Sequence, residues 1–217
     1  IMKKNIKCVI FDLDGTLIDS GPDLLDTLNF IFAKESLKKI PKEIIGDLVG
    51  SGAEAMIRKG LFFLNQEMND QKIKILVNDF IDYYSKNCTK KTTLYSGALD
   101  VLNYLKKNNI KICLCTNKKK FLAEKIINDF KLNNYFDYIV GSDGKVKLKP
   151  DTEMLIYCIQ ELQINENEIM FIGDSNNDII PANKLGMYSV YVKYGYGKLN
   201  EGVKPSLTIK ELKDIIN

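Results

Sequence analysis

Five short runs along the chain are apolar almost without interruption and rich in β-branched residues. They are "IKCVIFD" (6–12), "IKICLCT" (110–116), "YIVG" (138–141), "EIMFIGD" (168–174) and "MYSVYVK" (187–193). Such runs predict strands buried on both faces, the condition of a parallel sheet. Between them, segments 96–108, 118–130, 151–163 and 176–186 space their apolar residues as a helix does. Strand and helix alternate, so the pattern predicts an α/β fold with a Rossmann-like parallel sheet and helices on both faces.

One stretch breaks the rhythm. Between Ser20 and about Lys91 no run reads as a strand, and amphipathic helices are predicted at about 22–36, 41–48, 53–64 and 70–86. That arrangement predicts an inserted α-helical cap over 19–91. Residues 1–18 and 92–217 then make the catalytic core. At the end of the chain, "TIKEL" has capping-box spacing from Thr208 to Glu211 and predicts a last short helix.

Composition narrows the function. With 217 residues, 45% hydrophobic and 27% charged, the chain suits one large domain with an inserted module. Its 31 basic and 28 acidic residues leave a net charge of +3, too balanced to argue for a nucleic-acid partner. No apolar run reaches the ~18 residues a membrane span needs. No N-terminal stretch resembles a signal peptide, and Ile1 ahead of Met2 reads as foreign to the natural chain. A cytoplasmic monomer or homodimer without membrane partners is expected.

The five cysteines (Cys8, Cys88, Cys113, Cys115 and Cys158) include no C-x-x-C pair and read as buried free thiols in a reducing compartment. Histidine is absent. That excludes Ser-His-Asp chemistry, phosphohistidine and histidine metal ligation. Acid–base work falls to carboxylates, lysine, tyrosine or cysteine, and a metal would be a hard, oxygen-bound ion such as magnesium.

In open α/β sheets, ligands bind beyond the carboxyl ends of the strands. The residues there are Asp12, Asp14, Gly15 and Thr16; Thr116 and Asn117; Gly141 to Asp143; Gly173, Asp174 and Ser175; and the "YGYG" loop 194–197. Lys149 follows the third strand. Aspartates converging from different strand ends repel one another unless a cation lies among them. With one lysine they make a candidate magnesium and phosphate site.

Four segments carry a resemblance. "DLDGT" (12–16), "TN" (116–117), Lys149 with Pro150, and "GDSNND" (173–178) match, in order, the four motifs of haloacid dehalogenase superfamily phosphatases. The resemblance implies a haloacid dehalogenase-like core and a magnesium-dependent phosphatase acting on a small-molecule phosphate ester. Asp12 is then the nucleophile that forms an aspartyl-phosphate, and Asp14 the general acid and base. Thr116 and Lys149 hold the phosphoryl oxygens. Asp12, Asp14, Asp174 and Asp178 form the candidate metal group, in which Asp174 binds the ion and Asp178 orients its surroundings. Gly15, Thr16 and Asn117 complete the core's substrate contacts.

Within the superfamily the chain resembles phosphoglycolate phosphatases. "GSGAEAMIRKGL" (50–61) is similar to their cap segment and "YGYG" to their glycine-tyrosine-glycine loop, although Thr152 stands where members often carry a second proline. The resemblance implies 2-phosphoglycolate as substrate and makes Gly52, Arg58 and Lys59 candidate cap contacts. Arg58 is the only arginine, and its planar fork suits a carboxylate. "KKK" (118–120) reads as solvated surface. A β-phosphoglucomutase-like phosphomutase, or a pyrophosphatase or nucleotidase, would use the same Asp12 and Asp14. A non-catalytic phosphate-binding module would be marked by loss of one of them, and both are present.

Overall fold

The computed structural model describes residues 5–217; Ile1 and the first positions of the predicted core segment 1–18 lie outside the described residues. The strands are β1 (Cys8–Phe11), β2 (Ile18–Asp19), β3 (Thr93–Leu94), β4 (Lys111–Lys119), β5 (Tyr138–Ser142), β6 (Ile169–Gly173), β7 (Tyr188–Val192) and β8 (Leu207–Ile209). The helices are α1 (Gly21–Lys34), α2 (Ile45–Leu48), α3 (Ala53–Phe63), α4 (Asp70–Asn87), α5 (Ala98–Lys107), α6 (Lys120–Asp129), α7 (Glu153–Leu162) and α8 (Asn176–Lys184).

Six strands form one sheet in the order β5–β4–β1–β6–β7–β8, and every pairing is parallel. Side chains alternate across it. Val9 and Phe11 join Ile112, Leu114, Met170 and Ile172 in one core. Cys8 and Ile10 join Cys113, Cys115, Ile169 and Phe171 in the other, covered by Met154, Leu155 and Cys158 of α7. Both faces are buried, which is why the strand sequences are continuously apolar. No helix among the described residues is long and apolar enough to cross a membrane.

Between β2 and β3 lie α1 to α4. Helix α4 packs on both α1 and α3, and Asn69 caps it by accepting the Lys72 N–H at 2.8 Å. The segment leaves and rejoins the sheet side by side. Ile18–Asp19 pairs antiparallel with Thr93–Leu94. Asp23, in the first turn of α1, accepts hydrogen bonds from the N–H and hydroxyl of Thr92, both at 2.8 Å.

Two predicted elements differ. Thr208 does not cap a helix; it lies in β8, opposite Tyr191 of β7. Burial of Ile209 in the core follows strand alternation, and the helical turn comes later, as the 3₁₀ segment Leu212–Ile215 bracketed by Glu211 and Asp214. The second strand also runs on to Lys119, so the next helix opens at Lys120 rather than 118. That extension carries Lys118 inward.

Candidate active site

Strand β1 stays in register through Asp12, whose N–H donates to Ile172 at 2.9 Å. The chain then coils back on itself: the amides of Thr16, Leu17 and Ile18 all donate to the Leu13 carbonyl. This turn leaves Asp12 and Asp14 both facing one cavity of about 230 Å³. Gly15 closes the turn at φ +84, and a Cβ there would fall 2.2 Å from Asp174 Oδ2. Glycine is therefore required twice, for the backbone conformation and for the approach of Asp174.

Asp12, Asp174 and Asp178 each offer an oxygen within 4.8 Å of the others, and all three are buried. Lys149 reaches into the group, its Nζ 2.9 Å from Asp12 Oδ1, 2.6 Å from Asp178 Oδ1 and 2.7 Å from the Cys115 carbonyl. Asp178 turns its other oxygen to the N–H groups of Asp174 and Ser175 and to the Ser175 hydroxyl. Asp174 Oδ2 accepts from the backbone of Tyr196 at 2.7 Å and Gly197 at 3.0 Å. The Tyr196 phenol reaches the other way, to Asp19 and to the Gly21 N–H.

Burial disfavours these charges. It pushes the Asp12 carboxyl well above the ordinary carboxylate range; Lys149 opposes the rise, and Asp178, Asp174 and Asp14 add to it. Asp174 is pushed up to about 7, chiefly by burial and then by Asp178. Burial also works against Lys149, but Asp12 and Asp178 outweigh it and hold the ammonium charged. Three carboxylates against one ammonium leave two negative charges when all are ionised. A divalent cation with a preference for hard oxygen ligands fits that deficit, so the donor set suits magnesium.

Residues 9–192 match the family model of the haloacid dehalogenase-like hydrolases. The chain belongs to that family. Over 188 residues it is 32% identical to a phosphoglycolate phosphatase of Caulobacter vibrioides, covering 87% of this chain and 79% of that one. It is 30% identical over 194 residues to a phosphoglycolate phosphatase of Pasteurella multocida, covering 88% and 87% of the two chains. The crystal structure of a predicted phosphoglycolate phosphatase from Haemophilus somnus 129PT superposes with a TM-score of 0.91 at 26% identity, over 98% of this chain and 97% of that one. This haloacid dehalogenase-like hydrolase is an enzyme of the phosphoric monoester hydrolase class.

The hydrolase brings most of its sequence-predicted residues together. Asp12, Asp14, Thr116, Asn117 and Gly52 line the cavity, with Lys149, Asp174 and Asp178 in the cluster beside it. Asn117 acts as a clamp: it exchanges two hydrogen bonds, each 2.9 Å, with the Lys149 backbone. Its Nδ2 also donates to Gly50 at 3.1 Å, and Asn177 Nδ2 donates to the same carbonyl at 3.1 Å.

Five placements depart from the sequence reading. Gly15, assigned to the substrate, does not line the cavity and packs against Asp174 instead. Asp14 is not within the clustered carboxylates; it pairs with Lys118 at 2.9 Å and accepts from Ser20. Thr16 is fully buried away from the cavity, its carbonyl holding the Tyr194 hydroxyl at 2.7 Å. Arg58 and Lys59 are exposed on α3 and do not line the cavity. Arg58 is paired with Glu54 and Asp70, each at 2.8 Å.

Lys118, read as solvated, is 8% exposed and lines the cavity. The strand runs on past Thr116 with an irregularity between Cys115 and Lys119, and Thr116, Asn117 and Lys118 are all buried; no local pattern marks that extension. Ser20 and Tyr84 were not singled out either: Ser20 sits six residues past Asp14, just ahead of α1, and Tyr84 reaches Lys118 from a helix distant in sequence.

Proposed function

We propose that this hydrolase is a magnesium-dependent phosphatase that cleaves 2-phosphoglycolate through an aspartyl-phosphate on Asp12. The observation that carries the reading is the convergence of Asp174, Asp178 and Lys149 on Asp12, which lines a cavity together with Asp14. The names of the similar phosphatases support the substrate.

Asp12 attacks phosphorus and forms the acyl phosphate as the ester P–O bond breaks. Asp14 gives its proton to the departing alkoxide, then takes one from the water that attacks the acyl phosphate. Phosphate leaves and Asp12 is restored. Lys149 and Thr116 face the transferred oxygens, and Lys149 opposes the burial that raises the Asp12 carboxyl. Asp12 and Asp174 would hold the magnesium ion, braced by Asp178, and when bound it offsets the repulsion between carboxylate and phosphoryl group.

In this reading residues 19–91 act as a cap over the core formed by 1–18 and 92–217. The cap's share of the wall is mainly apolar, with Leu24, Leu48, Val49, Met56, Val77 and Phe80 facing the site. A sugar phosphate would present hydroxyls to that wall with few partners, which disfavours a phosphomutase. The described cysteines are all buried and free, which suits a reducing cytoplasm. The test is a panel of phosphorylated metabolites assayed with magnesium and ranked by kcat/KM. The reading requires 2-phosphoglycolate to rank first; a sugar phosphate or nucleotide at the top overturns it.

A further inference from the structure

Lys118 is a buried cation that the mechanism above does not use. Its Nζ donates to Asp14 Oδ1 at 2.9 Å and to the Tyr84 hydroxyl at 2.8 Å, and lies 4.5 Å from the centre of the Tyr84 ring. Tyr84 projects from α4 and is 1% exposed. The ammonium is thus fixed between a core strand and a helix of the inserted segment. An ammonium has three donors, and two are directed to these partners among the described residues.

Burial works against this charge, but its contacts with Asp14 and Tyr84 together outweigh the penalty and raise the lysine above its ordinary range. Of the other cations, Lys149 is committed to Asp12 and Asp178, Arg58 lies outside the cavity, and Lys119 lines it but is exposed.

We infer that Lys118, positioned by Tyr84, recognises the acid group on the leaving portion of the substrate. The inference rests on the proposed phosphatase reading and gives it a specificity residue. In 2-phosphoglycolate a single methylene separates the ester oxygen from the carboxylate. The group that protonates that oxygen and the group that receives the carboxylate must therefore be neighbours. Asp14 and Lys118 are in direct contact.

The surrounding wall sharpens the choice. A carboxylate enclosed by Val77, Phe80 and Ile81 is strongly disfavoured unless it meets a cation. A substrate with a hydroxyl in its place leaves the third ammonium donor without a charged acceptor, and sites built for a charged partner reject such analogues.

The experiment compares 2-phosphoglycolate with 2-hydroxyethyl phosphate, which replaces the carboxylate by a neutral alcohol on the same two-carbon frame. Wild-type enzyme is expected to favour the acid. In Lys118→Met that preference, read as the ratio of the two kcat/KM values, is expected to fall on the order of ten- to a hundredfold. Tyr84→Phe, which keeps the ring and removes one hydrogen bond, is expected to lower the same ratio by less. If Lys118→Met turns over too slowly to assay, calorimetric titration of the magnesium-loaded protein with 3-phosphonopropionate, a non-hydrolysable carbon isostere, gives the same comparison. Its affinity is expected to fall in the variant while that of 3-hydroxypropylphosphonate holds. Equal losses for acid and neutral compounds would show that Lys118 acts only through Asp14 and overturn the inference. A ratio unchanged from wild type would also overturn it. A wild-type enzyme with no preference for the acid would instead overturn the proposed substrate, and the inference with it.

Discussion

Lys149 and Asp178 form a buried ion pair: Nζ lies 2.6 Å from Oδ1, and each side chain is 1% exposed. The same ammonium holds Asp12 at 2.9 Å. One lysine therefore neutralises part of the charge on two aspartates, one after β1 and one in the first turn of α8. Lys149→Met leaves both carboxylates buried without their cation. Loss of one partner from such a pair costs about 3–5 kcal/mol, so chemical denaturation should show a deficit of that order and phosphate release should be lost. Magnesium should restore part of the stability but not the turnover.

Asp12→Asn should abolish phosphate release while the fold survives. The carboxamide keeps the shape and removes the nucleophilic oxygen. Phosphate release and far-ultraviolet circular dichroism, measured on the same sample, check the two halves. A folded variant with near-normal activity would exclude a covalent intermediate on Asp12.

The carboxylate cluster should make metal-free protein sensitive to pH. Burial pushes the Asp174 carboxyl up to about 7 in the folded protein, well above the ordinary carboxylate range. Between that range and the raised value the folded state binds the extra proton, so stability falls as pH rises through the window. Asp12 shifts in the same direction. Melting temperature in chelator should therefore drop by several degrees from pH 5 to pH 8, and saturating magnesium should remove most of the drop. A flat profile in chelator would argue against the burial of these charges.

Activity should require magnesium, and calcium should suppress it. Calcium takes more oxygen ligands at longer distances than magnesium, which misplaces the carboxylate that attacks. Full turnover in excess chelator, with residual metal measured, would remove Asp174 from the metal set.

Arg58→Lys should leave kcat/KM for every substrate unchanged. Its ion pairs with Glu54 and Asp70 lie on an exposed face of α3, where such pairs contribute little. A selective loss on acidic substrates would bring Arg58 back into the site at the expense of Lys118.

The contrast between Arg58 and Lys118 shows what the sequence could carry. The α/β alternation was readable because both sheet faces are buried, and that leaves uninterrupted apolar runs. The strand-end residues Asp12, Thr116 and Asp174 were readable for a related reason, since polar groups directly after such runs have a fixed position in the fold. Lys118 was hidden by its neighbours in "KKK". Composition reads three consecutive lysines as one surface, whereas the fold buries Lys118 in β4, leaves Lys119 exposed and starts α6 at Lys120. Arg58 stood out as a rare residue type, but rarity says nothing of direction, and its helix turns it outward. The pair β2–β3 and the contacts of Tyr84 and Tyr196 depend on partners distant in sequence, for which no local pattern exists. Thr208 had helix-cap spacing, yet pairing with β7 and burial of Ile209 prevailed over a local preference.

Tyr196 touches two places at once. Its backbone N–H holds Asp174, and its phenol holds Asp19 and the first residue of α1, where the chain leaves the sheet. The loop is thus a mechanical link between the carboxylate proposed to hold the metal and the root of the helical segment. Such a link is symmetric in free energy. Any shift of the helices on substrate binding that tightens the hold on the ion must be matched by an ion that tightens the hold on substrate by the same factor. Affinity for the metal and affinity for the ester then cease to be separate properties of this enzyme.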